Sequence, residues 1–163
     1  MSLLQDIFSE ASRRSDEIDV SIRVAFIELY KEQLYDLLSP KATGGNKENC
    51  VLDIREDPIK GVCIPGLTEL EVGTLESTMM QLEKGSINRV TAATAMNKTS
   101  SRSHAIFTLM LNIVSKEDPS SVTVSKFHMV DLAGSERQKK TKAEGQRLNE
   151  GININKGSAL LSI

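Results

Sequence analysis

The sequence predicts a single α/β domain, and three observations support that prediction. Residues 20–30 carry apolar side chains at both sets of alternating positions, which is typical of an inner strand covered on both faces. Apolar residues recur at helical spacing over 3–14 and again over 74–88. An apolar strand over 122–130 runs into an acidic residue and a glycine, and strand ends of this kind hold ligands in open α/β sheets.

Length and composition limit the class of protein. The 163 residues suit one domain spanning 1–163, and 39% hydrophobic with 26% charged residues is an ordinary globular balance. A net charge of −2 does not favour a nucleic-acid-binding protein, so any polyanion site has to be a local patch. Two cysteines, Cys50 and Cys63, are too few for a disulfide framework and fit a reducing compartment. No apolar run is long enough to span a bilayer.

The first third of the chain predicts a helix followed by a long strand. Ser2 and Gln5 have capping-box spacing, and the helix covers about 3–14. The strand covers Val20 to Tyr30. Residues 32–38 then predict a short helical turn that ends at Pro40, and residues 41–49 a polar surface loop.

The middle of the chain predicts short extended pieces and a second helix. Residues 51–54 form a short strand and residues 67–72 are extended. The second helix runs from Thr74, its N-cap, to about Asn88. Its apolar stripe consists of Leu75, Met79, Leu82 and Ile87, and Met79 and Met80 are interpreted as core filler.

The last third predicts a β-hairpin and a final helix. Strands cover Ala105 to Val114 and Val122 to Val130, joined by a loop over 116–121 that contains Pro119. Leu148, Ile152 and Ala159 indicate a last helix.

Two polar segments carry the candidate chemistry. The first is Asn97-Lys98-Thr99-Ser100-Ser101-Arg102-Ser103-His104, just before a strand; hydroxyl-rich loops of this kind supply ligands to magnesium and phosphate, although a solvated loop with local turns is the alternative. The second begins at Asp131, and Gly134 follows with no side chain to keep a phosphate away. An Asp-x-x-Gly pattern alone occurs by chance in many chains.

Together, the two strings resemble the switch I and switch II pair of kinesin motor domains. Other stretches are similar to the same family: Phe26–Tyr30 together with Asp36–Leu38, then Gly85–Arg89, and then Leu148–Lys156. The resemblance covers Leu4 to Gly157, and the local sequence is most similar to the chromokinesin branch of the family. It implies a partial kinesin-like motor fold: a central mixed β-sheet with helices on both faces and with the N-terminal and C-terminal portions missing.

The resemblance also implies roles for individual residues. The Ser101 hydroxyl would reach the coordination shell of magnesium, and Asp131 would hold the ion through water. Ser100 and Asn97 would lie beside the γ-phosphate and its attacking water, and Gly134 would sense the γ-phosphate. The ion pair between Arg102 and Glu136 would latch the two switches.

A phosphate-binding P-loop is missing from the sequence, because none of its ten glycines is followed by lysine. In the family, this loop lies upstream of the helix that begins the chain. We therefore expect no cofactor for this chain alone, although the family uses Mg-ATP, and we expect no ATPase activity. One alternative is a microtubule-stimulated ATPase whose P-loop comes from a missing segment or a partner chain. Another is a structural or regulatory protein in which the switch motifs are relics.

The basic segment over residues 137–156 predicts that the chain binds microtubules. Residues 137–156 hold six basic and two acidic residues, and an acidic microtubule surface would attract them weakly and in a salt-sensitive way. An ordinary solvated loop is the alternative. The candidate microtubule-binding residues are Lys139, Lys140, Lys142, Arg147 and Lys156.

Three further expectations concern assembly, location and the histidines. With part of the sheet absent, the strand Val20–Tyr30 is expected to become an exposed edge and to pair with a second copy. The expected location is the cytoplasm and the cytoskeleton, with the spindle and the nucleus as alternatives. We expect the chain to bind neither a membrane nor nucleic acid directly. His104 and His128 are interpreted as strand residues, because neither has metal-ligand spacing with the cysteines.

Overall fold

The fold is seen in a computed structural model that describes residues 3–42, 50–59, 61–91 and 103–133. Its elements, in chain order, are α1 (Leu3–Arg13), β1 (Ile18–Tyr30), β2 (Gln33–Asp36), a 3₁₀ turn (Pro40–Ala42), β3 (Val51–Leu52), β4 (Arg55–Asp57), β5 (Gly61–Cys63), β6 (Leu70–Glu71), α2 (Leu75–Thr91), β7 (His104–Ser115) and β8 (Val122–Asp131). The predicted α/β class is confirmed. The predicted final helix and the loop over 43–49 lie outside the described residues.

One six-stranded sheet organises these elements. Its order is β3-β2-β1-β7-β8, with β6 also paired to β1. Every pairing in the described sheet is antiparallel, so the expected mixed sheet is not seen among the described strands. A separate two-stranded hairpin joins β4 to β5. The long ladders β1–β7 and β7–β8 fix the register of the sheet from end to end.

Both described helices pack on the same face of the sheet. Leu4 of α1 joins a core made by Val24, Phe26, Phe107 and Leu109 from β1 and β7. Leu75 and Leu82 of α2 pack against the same core. A smaller cluster on the opposite face contains Ile27, Leu29 and Leu34. These two clusters explain why β1 is apolar at both sets of alternating positions.

The prediction that Val20–Tyr30 is an exposed edge is wrong. β1 pairs with β7 over Ile18–Leu29 and with β2 and β6 on its other side. One outer strand of the described sheet is β8, where Val122, Val124 and Val130 are exposed, and β3 lies at the other end of the strand order. The apolar pattern correctly indicated burial of β1, and a strand buried on both faces is generally also paired on both edges.

Residues 33–36 form a strand, so the predicted helical turn is wrong. Tyr30 pairs with Gln33, and the two residues between them, Lys31 and Glu32, both have positive φ, 51° and 63°. Such a pair of left-handed residues makes a two-residue hairpin turn that suits the twist of the strands. Glycine or asparagine normally signals this turn, and neither is present here.

The second helix begins as predicted but exposes residues that were predicted to be buried. Thr74 caps it, because Oγ1 of Thr74 accepts a hydrogen bond from the Ser77 N–H at 3.0 Å. Met79, Met80 and Ile87 are all exposed, with Met80 at 60%. The methionines are therefore not core filler. Leu75 and Leu82 alone of the predicted stripe pack against the core.

Candidate functional site

The two candidate segments meet at one end of the sheet. β7 begins at His104, immediately after the hydroxyl-rich segment, and β8 ends at Asp131. The two strands are neighbours, and Ala105 pairs with Asp131 in their register. The antiparallel hairpin therefore brings the end of the first segment beside the start of the second, although the segments are far apart in sequence.

Arg89, in the last turn of α2, links these ends. Its Nη1 donates to Oδ2 of Asp131 at 2.7 Å, and its Nη2 donates to the backbone oxygen of Ser103 at 2.9 Å. Its Nε lies 3.6 Å from Oε1 of Glu28, on β1. One guanidinium group thus holds the end of β8, the start of β7 and the middle of the sheet together.

The two carboxylates that Arg89 contacts are in different environments. The Glu28 side chain is fully buried, whereas that of Asp131 is 70% exposed. Glu28 pairs with Ala105, and Ala105 pairs with Asp131, so the three residues form one row across the sheet. Residues paired in this way point to the same face, and the small side chain of Ala105 separates the two acids.

Asn88, one residue before Arg89, ties the same helix to the residue that follows β2. Its side-chain nitrogen donates to the backbone oxygen of Leu37 at 2.8 Å. Asp36 stabilises the adjoining loop, since its carboxylate accepts hydrogen bonds from the backbone N–H groups of Leu38, Ser39 and Thr68. These contacts fix the C-terminal end of α2 over the sheet, which holds Arg89 in place.

Of the predicted nucleotide-site residues, the structure describes Asp131 alone. It lies at the end of β8, as the strand prediction requires, and it pairs with Arg89. The following predicted residues lie outside the described ranges: Asn97, Ser100, Ser101, Arg102, Gly134, Glu136, Lys139, Lys140, Lys142, Arg147 and Lys156. Their roles remain predictions.

Sequence reasoning assigned no site role to Arg89 or Glu28, and it interpreted His104 as a strand residue, which its place in β7 confirms. A signal for Glu28 was present, because it is a lone acid within an apolar strand, and a buried carboxylate needs a partner. Arg89 stood in a stretch noted only for its resemblance. Its position in the last turn of a helix, just before the hydroxyl-rich segment, was the available signal.

The described residues do not make a complete Mg-ATP site. Asp131 offers one exposed carboxylate, which suits a water in a magnesium shell. No group of three or more histidine, cysteine, aspartate or glutamate residues in the described chain is placed to hold a metal ion. No glycine in the given sequence is followed by lysine, the pair that a P-loop motif contains.

Comparison with known proteins identifies the family. A model of the kinesin motor domain matches residues 1–162. The chain belongs to the kinesin motor-domain family. It is 50% identical over 155 residues to the human chromosome-associated kinesin KIF4A, a match that covers 95% of this chain and 12% of that protein. It is 38% identical over 177 residues to the kinesin-like protein KIN-4C of Arabidopsis thaliana, with 96% of this chain and 14% of that protein covered.

Two solved kinesin structures share the fold. One is a fast kinesin, with a TM-score of 0.77 and 34% identity, covering 93% of this chain and 41% of that chain. The other is a KIF14 dimer in a two-heads-bound state with AMP-PNP in complex with a microtubule, with a TM-score of 0.77 and 35% identity, covering 97% of this chain and 44% of that chain. The kinesin chain described here therefore spans less than half of these solved chains.

Within the ranges that the structure describes, neither α1 nor α2 is long and apolar enough to cross a bilayer.

Proposed function

We propose that this chain is the switch-bearing part of a kinesin motor domain, binding microtubules weakly and unable to hold ATP without a P-loop. The observation that carries the proposal is the meeting of the two candidate segments at Ser103 and Asp131, joined by Arg89. Two loops that leave neighbouring strands at one sheet end are placed to enclose one ligand between them.

The missing P-loop decides the affinity for nucleotide. A P-loop provides backbone N–H donors, a helix N-terminus and a lysine, all directed at the phosphates. Each charge-assisted hydrogen bond contributes roughly 1.5–3 kcal/mol, so losing several weakens nucleotide binding by many decades. The switches alone, with Asn97, Ser100, Ser101, Asp131 and Gly134, would leave the phosphates largely in water.

Calorimetric titration with Mg-ATP tests this part of the proposal. We expect no measurable heat of binding at millimolar nucleotide. A dissociation constant in the micromolar range would overturn it. Mg-ADP and magnesium alone serve as controls, because weak binding of magnesium at Asp131 would give the same small signal in all three titrations.

The basic segment supports the microtubule part of the proposal. Lys139, Lys140, Lys142, Arg147 and Lys156 provide local positive charge in a chain of net charge −2. Electrostatic attraction of this kind weakens steeply with salt. One matched structure is a kinesin in complex with a microtubule, which makes the same partner a reasonable proposal here.

Co-sedimentation with microtubules at increasing salt tests the partner. Replacing Lys139, Lys140 and Lys142 with glutamine is expected to abolish pelleting at low salt. The matched control replaces Lys31, Lys84 and Lys126, three exposed lysines elsewhere on the chain, and is expected to retain it. Equal loss in both variants would mean that net charge alone drives association and would contradict a defined binding face.

A second candidate function is supported by the coverage of the solved kinesins. Because the chain spans 41% and 44% of those chains, a segment outside this sequence has room to supply the P-loop. The combined protein would then be a microtubule-stimulated ATPase, with a cytoskeletal location and, as the name of the human relative suggests, chromosomes as a further site. Co-expressing the chain with the N-terminal segment of a kinesin motor and measuring ATP turnover distinguishes the two candidates.

A further inference from the structure

The β7–β8 ladder does not include His104, the first residue of β7. Ala105 pairs with Asp131, and continuing the register would pair His104 with Leu132. Instead, the backbone N–H of Ala133 donates to Nδ1 of His104 at 3.1 Å. Both residues are buried, and the His104 side chain is among the most deeply enclosed in the described chain. A side chain thus replaces the backbone as the partner of this strand end.

The contact lies on the opposite face of the sheet from Arg89. Glu28, Ala105 and Asp131 share the face that carries α1 and α2, because paired residues point to the same side. His104 pairs with Leu29, which belongs to the cluster on the other face. The end of β8 is therefore held from both sides: Arg89 holds Asp131 on one face, and His104 holds Ala133 on the other.

The chemistry of the contact specifies the tautomer of the imidazole ring. Nδ1 can accept from a backbone N–H only when it carries no proton, so the ring proton lies on Nε2. A buried backbone N–H without an acceptor is costly, so the geometry of Ala133 depends on an acceptor at this position. A histidine side chain that only filled space would not need Nδ1 to face Ala133.

We propose that His104 is a positioning residue that ends β8 by holding the backbone of Ala133. The hydrogen bond itself is independent of any ligand. Its consequence for nucleotide sensing rests on the proposed function, since Ala133 directly precedes Gly134, the residue proposed to meet the γ-phosphate.

The first test uses the unmodified 163-residue chain labelled with ¹⁵N. A through-hydrogen-bond scalar coupling between the amide nitrogen of Ala133 and Nδ1 of His104 is expected, together with a protonated Nε2. An assigned Ala133 amide with no such coupling, or a ring protonated on Nδ1, would overturn the proposal. Nucleotide is absent from this experiment, so failure of the proposed function leaves the result unaffected.

The second test compares two side chains that carry the same amide group. In His104→Asn the carbonyl oxygen falls near the place of Nδ1, whereas in His104→Gln it is one methylene further out. We expect hydrogen exchange at Ala133 to stay near its unmodified rate in the first variant and to rise about tenfold in the second, as loss of one hydrogen bond predicts.

Amides of the β1–β7 ladder report whether either variant has lost its packing. They are expected to exchange at unchanged rates in both variants. Equal acceleration at Ala133 and throughout the ladder would show that His104 acts only by filling space, and unchanged exchange at Ala133 in His104→Gln would show that the acceptor is unnecessary. Either result would overturn the proposal.

Discussion

The strands β1 and β8 each carry a phenylalanine but place it in different environments. Phe26 on β1 is 4% exposed and Phe127 on β8 is 36% exposed. Arg89 connects the two strands, yet it meets a fully buried carboxylate on β1 and a largely exposed one on β8. For the same residue type, the position of the strand in the sheet therefore decides how far the side chain is buried.

The largest expected contrast is between the two phenylalanines. The Phe26 ring packs edge-to-face on Phe107 with centroids 5.3 Å apart, so Phe26→Ala should lower the free energy of unfolding by about 3–5 kcal/mol. Phe127→Ala should cost roughly 1 kcal/mol or less, since that ring is already partly in water. Urea unfolding of both variants measures the contrast, and equal losses would mean that β8 is buried in solution.

The next contrast compares two arginines. Arg89→Ala should lower the free energy of unfolding by about 3 kcal/mol, because it leaves the buried Glu28 carboxylate without its cation. The control is Arg23→Ala, which removes an exposed pair with Glu69 and should cost below about 1 kcal/mol. If Arg89→Ala proved as mild as the control, Glu28 would be stabilised by its other contacts instead of by Arg89.

A glycine substitution tests how closely α2 approaches β1. A Cβ atom on Gly85 would lie 2.3 Å from Cδ1 of Phe26, so Gly85→Ala should destabilise the fold by about 1–3 kcal/mol despite its better helix propensity. Gly73→Ala is the control, since a Cβ there meets nothing within 4 Å. Thermal unfolding compares the two, and a stabilised Gly85→Ala variant would mean that Phe26 moves aside freely.

The smallest effect on stability is expected at the outer strand. Val124→Lys on β8 should change the free energy of unfolding by no more than about 0.5 kcal/mol, because Val124 is exposed. It should nevertheless slow aggregation, because charge on an edge strand opposes pairing with another chain. Val90→Lys, an equally exposed site on α2, is the control for light scattering, and an equal effect of both changes would argue against association through the β8 edge.

The sequence by itself determined the class of the fold, most element positions and the family. Helical and alternating periodicities depend on local geometry, so α1, β1, β7 and β8 were placed to within a few residues. The two switch-like strings were recognisable as sequence, and the family match over residues 1–162 agrees with them. The hairpin turn at Lys31 and Glu32 escaped prediction because those residue types rarely adopt positive φ.

Only the tertiary structure decided which strand lies at the edge and which polar groups meet. Pairing partners depend on residues distant in sequence, and β1 acquired neighbours on both sides through β2, β6 and β7. The convergence of Glu28, Arg89 and Asp131 likewise follows from the register of three strands and the end of one helix. Local sequence patterns do not predict such long-range pairing, because the pairing depends on the burial and hydrogen bonding of the whole sheet.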